Sequence, residues 1–261
     1  MRVGVFGAGG RMGSTVCRAV HADAGLDLVA AVDPHYAGLE VANVTGTQGN
    51  NVLISGDHEA FVHAKVDVAI DFTNYDSSRE NLAFLAASGI HAVVGTTGFS
   101  EEDLARFERT FVKSNCLIAP NFAIGALLMM KFAAEAAPYF ETAEIIEYHH
   151  DEKIDAPSGT ATLTAERMAE ASDRWGEDPT TKTVYEGARG GEGPAGIRVH
   201  SVRMRGMVAH QEVVLGTTGQ TLVIRHDSID RTSFMPGVIM ATKVIDDRPG
   251  LTVGLDVLLN L

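Results

Sequence analysis

The sequence predicts an α/β fold in two parts: a parallel sheet assembled from βαβ units, joined to a second α+β domain with a mixed, largely antiparallel sheet. Three observations carry that expectation. Up to about residue 121, short β-branched runs alternate with helical stretches, the rhythm of right-handed crossovers. Beyond that point three strand candidates follow one another with little helix between them, the grammar of a mixed or antiparallel sheet. A chain of 261 residues, 45% apolar and 21% charged, is also long enough to bury a substantial core and ordinary enough in composition to be globular.

The elements are expected in this order. Strands fall at Val3–Phe6, Leu28–Val32, Val68–Phe72, Ala92–Gly95 and Cys116–Ala119, because these runs are apolar almost throughout, as strands covered on both faces must be. Helices fall between them at about Met12–His21, Ser77–Ser88 and Glu101–Val112. Gly38–Asp57, rich in Gly, Asn and Thr, reads as an irregular surface excursion. A small-residue helix, Ala123–Ala136, leads to a strand at Ala143–Tyr148, a charged loop, and a helix from about Ser158 to Ala171. Asp173–Gly196, full of Gly, Pro and charge, is expected to be a mobile loop. Strands follow at Ile197–Arg205, Val208–Thr217 and Gln220–His226, then a helix at Pro236–Ile245 and a strand-like tail at Leu251–Leu258. By pattern alone the tail belongs to neither domain in particular.

Composition excludes several classes of function. The net charge of −13 is the wrong sign for a non-specific nucleic-acid binder. The longest apolar runs, such as Ala123–Met130, fall far short of the roughly 20 residues a bilayer requires. The opening MRVGVFGAGG has no basic n-region and starts directly on a strand, so no signal peptide is expected. Cys17 and Cys116, one in a helix and one opening a strand, read as reduced core thiols of a cytoplasmic protein rather than as a disulfide or metal ligands.

The first chemical signal is the run Gly7, Ala8, Gly9, Gly10, Arg11, Met12, Gly13 between the first strand and the first helix. Glycines there let the backbone turn sharply and approach a pyrophosphate, while the helix N-terminus offers free N–H donors. That solves a problem the acidic chain poses, since backbone dipoles attract an anion without any net positive charge. The spacing is G-x-x-G-x-x-G; Met12 stands where the commoner G-x-G-x-x-G has its last glycine. The N-terminal domain is therefore read as a Rossmann-like dinucleotide-binding domain, the alternative being a tight turn. Asp33 ends the second strand, 20 residues past Gly13, where a carboxylate accepts hydrogen bonds from ribose hydroxyls; a plain strand-end acid is the competing reading. Pro34, His35 and Tyr36 follow it, with no adjacent cation for a 2′-phosphate, although Arg11 partly compensates. The expectation is NADH and/or NADPH, with NADH preferred or dual use. Gly95, Thr96 and Thr97, and Ala119, Pro120, Asn121 and Phe122, follow successive strands and are expected to meet the nicotinamide half.

The second signal is the loop after Ala143–Tyr148. His149 and Lys153 flank Asp151 and Glu152, and Asp155-Ala156-Pro157-Ser158-Gly159-Thr160 opens the next helix. Pro157 and Ser158 fit a helix start, and Gly159 and Thr160 expose first-turn N–H groups. A helix N-terminus with a Lys and two histidines, His149 and His150, is a receptor for carboxylate, and a histidine exchanges a proton near neutral pH. Two other readings stay open here. Lys153 could serve only a surface ion network with Glu147, Glu152 or Asp155. A metal site is disfavoured, because neighbouring histidines on an extended segment point apart and no third spaced ligand is evident; the expected metal is none.

The stretch Glu144–Ala161, EIIEYHHDEKIDAPSGTA, resembles the signature E-[IV]-x-E-x-H-x-x-x-K-x-D-x-P-S-G-T of the dihydrodipicolinate reductase (4-hydroxy-tetrahydrodipicolinate reductase) family, with every fixed position matched. The likeness spans nearly the whole chain: GAGGRMG at 7–13, IDFT at 70–73, GTTGF at 95–99, PNF at 120–122 and RTSF at 231–234. One departure is Glu152, where many relatives carry a further histidine. The resemblance implies reduction by NAD(P)H of a small cyclic dicarboxylate, after loss of water, in lysine and diaminopimelate synthesis. It implies that His149 donates the proton, Lys153 assists and binds carboxylate, and His150 with the Gly159–Thr160 backbone holds a carboxylate. It further implies a discontinuous nucleotide domain, 1–121 and 231–261, a substrate-binding and oligomerisation domain, 122–230, hinge closure, and a cytoplasmic homotetramer. Two rivals remain in view. An amino-acid semialdehyde dehydrogenase needs a cysteine nucleophile or a Lys–Asp pair that is not visible; a non-catalytic NAD(H)-binding paralogue predicts erosion of residues that are intact.

Overall fold

The structure, a computed structural model, describes residues 1–259. In chain order the elements are β1 Arg2–Phe6, α1 Arg11–Ala22, β2 Asp27–Val32, α2 Val41–Thr45, β3 Ile54–Ser55, α3 Glu59–His63, β4 Val68–Asp71, α4 Tyr75–Ser88, β5 His91–Val94, α5 Glu101–Thr110 and β6 Cys116–Ile118. They continue with α6 Ile124–Ala136, β7 Thr142–His149, α7 Gly159–Ala171, β8 Gly191–Glu192, β9 Arg198–Arg203, β10 Ala209–Thr217, β11 Gln220–Ser228, α8 Met235–Val244, β12 Leu251–Val253 and α9 Asp256–Leu259. The chain divides into two compact units, Met1–Ala123 with the chain from Arg231 onward, and Ile124–Asp230.

The first unit holds a seven-stranded sheet in the order β12-β6-β5-β4-β1-β2-β3, every pair parallel. The chain winds outward from β1 through β2 and β3, then returns to lay β4 on the other side of β1. That reversal opens a crevice at the carboxyl ends of β1 and β4, where ligands bind in doubly wound sheets. The central strands are Rossmann-like in burial: Val3, Val68, Ala69, Ile70, Ala92, Val93 and Val94 have no accessible surface. The helices close over this layer through Leu82, Leu85, Phe107 and Phe111. Phe61 fills the space above Gly4, where an added Cβ would lie 2.9 Å from its ring, and stacks 4.5 Å from Phe6.

The second unit has a five-stranded sheet in the order β11-β10-β7-β9-β8. It is mixed: β7 and β9 run parallel and the remaining pairs antiparallel. Alternate residues of β10, Gln211, Val213 and Leu215, point to the face covered by α6 and α7, as the two-residue period of a strand requires. Ala133, Ala161, Ala165 and Met168 supply the helix side of that core. The opposite face carries Ile146, Tyr148, Val202, Val214 and Val223.

Three stretches differ from expectation. The tail 251–258 is a strand only at Leu251–Val253; Gly254, at φ +94°, breaks it, and α9 follows. The excursion 38–57 contains α2 and β3, and α3 was not foreseen at all. The loop 173–196, expected to be mobile, is tied to its sheet. Arg189 binds Glu144 and Asp178, and Arg198 reaches both Asp178 and Glu192.

Candidate active site

At the end of β1 the chain turns at Gly7, φ +64°, and enters α1. An added Cβ on Gly13 would stand 2.0 Å from the Gly7 carbonyl oxygen, so only glycine allows the helix to pack this closely on the turn. No side chain caps α1 and no acid lies in its first turn, which leaves its N-terminal dipole unopposed. Arg11 is exposed and pairs with no acid among the described residues. Gly9 serves a purpose the sequence did not reveal: the Tyr36 ring lies against it, 2.1 Å from where a Cβ would stand. Asp33, buried at the end of β2, accepts hydrogen bonds from the Gly9 amide at 2.9 Å and the His35 amide at 3.0 Å.

The neighbouring loops are organised by Asp71, which sequence reading passed over as a lone polar residue in an apolar strand. Fully buried at the end of β4, its carboxylate accepts the Thr73 amide and hydroxyl at 2.8 and 2.7 Å, the Asn81 side chain at 2.8 Å and the Thr96 hydroxyl at 3.2 Å. Thr73 in turn abuts the glycine loop, its Cγ2 3.1 Å from a Cβ position on Gly7. One carboxylate thus fixes the loops after β4 and β5 beside the turn after β1. The loop holding Gly95, Thr96 and Thr97 is closed at its far end by the Ser100–Asp103 capping box. Burial resists the ionisation of Asp103, yet the Tyr75 hydroxyl, the Ser100 donors and Arg79 hold its carboxyl below the usual range. Of this group Thr97 is exposed, whereas Thr96 is buried and its hydroxyl spent on Asp71.

After β6, Ala119 and Phe122 are buried, Phe122 packing 5.6 Å from Phe72, so only their backbone is available to a ligand. Pro120 is exposed, and the Asn121 side chain accepts the Ala123 amide at 2.8 Å.

In the second unit, His149 closes β7 and Ser158 caps α7, its hydroxyl accepting the Ala161 amide at 3.3 Å. Between them His150 is exposed, and its carbonyl accepts the Lys153 amide at 3.2 Å. The Lys153 ammonium binds both oxygens of Asp155, at 2.7 and 2.8 Å; that hydrogen bond holds the Asp155 carboxyl below the usual carboxylate range. Asp151 pairs with Arg205 at 2.9 Å, while Glu152 is exposed. Gly159 and Thr160 form the first turn of α7, and nothing lies within 4 Å of a Cβ position on Gly159.

The centre of this loop is Glu147, with no accessible surface. Its Oε2 takes His149 Nδ1 at 2.5 Å and Arg203 at 2.8 Å; its Oε1 takes Arg203 at 2.8 Å and the Ser158 amide at 3.1 Å. Burial opposes the charge, but the hydrogen bonds from His149 and Arg203 outweigh it and bring the carboxyl down to about 2. His149 thus turns Nδ1 to this carboxylate, and Nε2 is the ring nitrogen that Glu147 does not engage.

Family models described as "Dihydrodipicolinate reductase, N-terminus" and "Dihydrodipicolinate reductase, C-terminus" match residues 1–122 and 125–259. The chain belongs to the dihydrodipicolinate reductase family. It is 50% identical to the 4-hydroxy-tetrahydrodipicolinate reductase of Mycobacterium ulcerans (strain Agy99), over all of both chains. It is also 50% identical to that of Nocardia farcinica (strain IFM 10152), over 100% of this chain and 99% of the relative. A solved structure, "Dipicolinate bound Dihydrodipicolinate reductase from Paenisporosarcina sp. TG-14", is 38% identical, covers 98% of each chain and superposes with a TM-score of 0.82. Dihydrodipicolinate reductases are NAD(P)H-dependent oxidoreductases, and the glycine turn, the uncapped helix and the strand-end acid fit such a dinucleotide. Asp71, Tyr36, Glu147 and Arg203 are the residues this reductase fold adds to those marked by sequence.

Proposed function

We propose that this chain reduces 4-hydroxy-2,3,4,5-tetrahydrodipicolinate to 2,3,4,5-tetrahydrodipicolinate with NAD(P)H, in lysine and diaminopimelate synthesis. The observation that carries the reading is the β7–α7 turn, with His149, Lys153 and the capped Ser158-Gly159-Thr160 start, in a chain half identical to such reductases over its whole length. The substrate is a ring with two carboxylates. Loss of water gives a conjugated ring; a hydride and a proton then complete the reduction. NAD(P)H supplies the hydride when bound, so no metal or nucleophilic side chain is required of the protein.

The protein's own part is to bind, orient and protonate. His149 donates the proton from Nε2, with Nδ1 held by Glu147. Lys153 exchanges Asp155 for a substrate carboxylate and assists protonation, and His150 and the Gly159 and Thr160 amides hold carboxylate at the positive end of α7. In the first unit, Gly7, Ala8, Gly9, Gly10, Arg11 and Met12 receive the pyrophosphate, and Asp33 receives the adenosine ribose. Gly95 to Thr97 and Ala119 to Phe122 take the nicotinamide half, largely through backbone. NADH is preferred or both cofactors serve.

The first unit is thus the nucleotide-binding domain, completed by the chain after Arg231, and the second is the substrate-binding and oligomerisation domain. A cytoplasmic homotetramer is the assembled form. Its support is the face of the second sheet away from α6 and α7, where Ile146, Tyr148, Val202, Val214 and Val223 lie among the charged Glu144, Glu212 and Arg225. No helix among the described residues is long and apolar enough to cross a membrane.

Turnover tests the whole reading. The freshly generated product of the preceding condensation is supplied, and oxidation of NADH and of NADPH is followed separately. Absence of substrate-dependent oxidation with either nucleotide overturns it. Sedimentation tests the assembly, which should contain four chains of 27.8 kDa each.

A further inference from the structure

Among the described residues of the second unit, Glu147 is the one carboxylate that is both fully buried and bonded to a residue of the proposed reaction site. Burying a charge is costly unless its hydrogen bonds are filled, and here both oxygens are taken, by the His149 ring, the Arg203 guanidinium and the Ser158 amide, with the Ser201 side chain as a further donor. Arg203, on the neighbouring strand β9, grips the two oxygens symmetrically at 2.8 Å and fixes the carboxylate plane. A carboxylate so fixed presents its remaining lone pairs in set directions. One meets His149 Nδ1 and the other the Ser158 amide. Arg203 also donates to the Asp155 carbonyl at 2.6 Å, so the far end of the loop is held by the same ion pair.

We propose that Glu147 is the positioning residue of the proton-transfer site. Its carboxylate selects the Nδ1–H tautomer of His149 and ties that ring to the N-terminal turn of α7, so that donor and carboxylate receptor keep one geometry. The proposal rests on the reductase reading above. Glu147 has no accessible surface through which to meet a ligand, so it acts through His149 and Ser158. A merely structural role, an ion pair joining β7 to β9, would need Arg203 alone and would place no requirement on the histidine ring. The contact at 2.5 Å to Nδ1 is the added feature.

Two measurements test this. The first needs no variant: the ring nitrogens of ¹⁵N-histidine-labelled wild-type protein are recorded above the titration of His149, its signals identified by their loss in His149→Gln. Protonated Nδ1 and bare Nε2 are expected, opposite to the tautomer free imidazole favours; bare Nδ1 overturns the proposal. The second is Glu147→Gln, which keeps the shape and removes the charge. Its kcat should fall by on the order of 10²-fold with KM within about threefold, accompanied by a mixed tautomer at His149. A folded Glu147→Gln protein with kcat within about threefold of wild type overturns the proposal. Should the variant fail to fold, the wild-type spectrum decides. Should the wild type fail to turn over, the reductase reading falls, while the nitrogen spectrum still decides which tautomer Glu147 holds.

Discussion

The Asp33 carboxylate and the Gly9 amide are joined by a hydrogen bond of 2.9 Å, so the acid at the end of β2 is also the clasp of the glycine turn. Its other oxygen accepts the His35 amide, and Tyr36 lies against Gly9. Turn geometry and the sugar contact proposed above therefore share one side chain. In the proposed reading this carboxylate stands where a 2′-phosphate would approach, and Arg11 is the nearby exposed cation in the same turn.

For the cofactor, kcat/KM with NADPH should not exceed that with NADH by more than about tenfold. Asp33→Ala should lower kcat/KM with NADH by about tenfold, the worth of a hydrogen bond or two. Arg11→Ala should hurt NADPH more than NADH. Steady-state kinetics with each nucleotide check all three, and a strong NADPH preference in the wild type would sink the assignment of Asp33.

For the proton donor, His149→Gln should lose about 10²–10⁴-fold in kcat, the usual worth of a general acid. The ring is half-buried at the end of β7 rather than in the core, so the circular dichroism spectrum should stay close to wild type, while the melting temperature falls modestly because the bond to buried Glu147 is weakened. Single-turnover rates would separate this from slowed product release. A near-normal rate would remove His149 from the reaction.

Lys153 and Asp155 make a sharper pair of expectations. The ammonium is matched by both Asp155 oxygens, so in the proposed reaction a substrate carboxylate must displace an internal one. Lys153→Ala should therefore lower kcat and raise KM together. Asp155→Asn should tighten binding of a dicarboxylate such as dipicolinate, but only by up to about fivefold, because an exposed ion pair is worth at most about 1 kcal/mol. Titration calorimetry reads the difference, and weaker binding by Asp155→Asn would show that the acid aids binding instead.

Much of this was legible in the sequence, and the exceptions at the site share a cause. Central strands such as Ala92–Val94 announce themselves because parallel strands buried on both faces must be apolar throughout, and the glycine turn announces itself by spacing between a strand and a helix. The β7–α7 turn was marked by Pro157 and Ser158 and by charges that need a reason. Glu147 stood in the same signature only as one of three ion partners offered for Lys153, since its partner Arg203 lies 56 residues away on a strand whose register no local pattern fixes. Tyr36 against Gly9 and Asp71 under Thr96 are likewise contacts between segments. The tail failed for a local reason: an apolar run looks like one strand until Gly254 turns it. Helix α3 has five residues, too few for a period to show.

The cysteines should be chemically silent in the folded protein. Burial raises the Cys17 thiol to about 12 and pushes the Cys116 thiol up as well, and neither has accessible surface. The thiolate is the reactive form, so a disulfide reagent at pH 8 should find no thiol until denaturant is added, and then two. Rapid labelling of the native enzyme would mean that the core beneath β6 opens readily.

Acid should weaken the fold through Glu147 in a window set by its two states. Unfolded, the carboxyl titrates near 4.5; folded, it is held at about 2, with burial overcome by His149 and Arg203. A depressed folded value means the stabilisation is complete above about 4.5 and is lost as pH falls towards 2. Asp178, brought down to about 2 chiefly by Thr180 with help from Arg189, acts in an overlapping range beginning near 3.8. The two are separable by salt. Asp178 belongs to a surface network that ions screen, whereas Glu147 is enclosed. Urea melts at intervals between pH 5 and pH 2.5 should therefore show falling stability, with a salt-insensitive part that disappears in Glu147→Gln. A variant that keeps the full slope at high salt would assign the loss to other carboxylates.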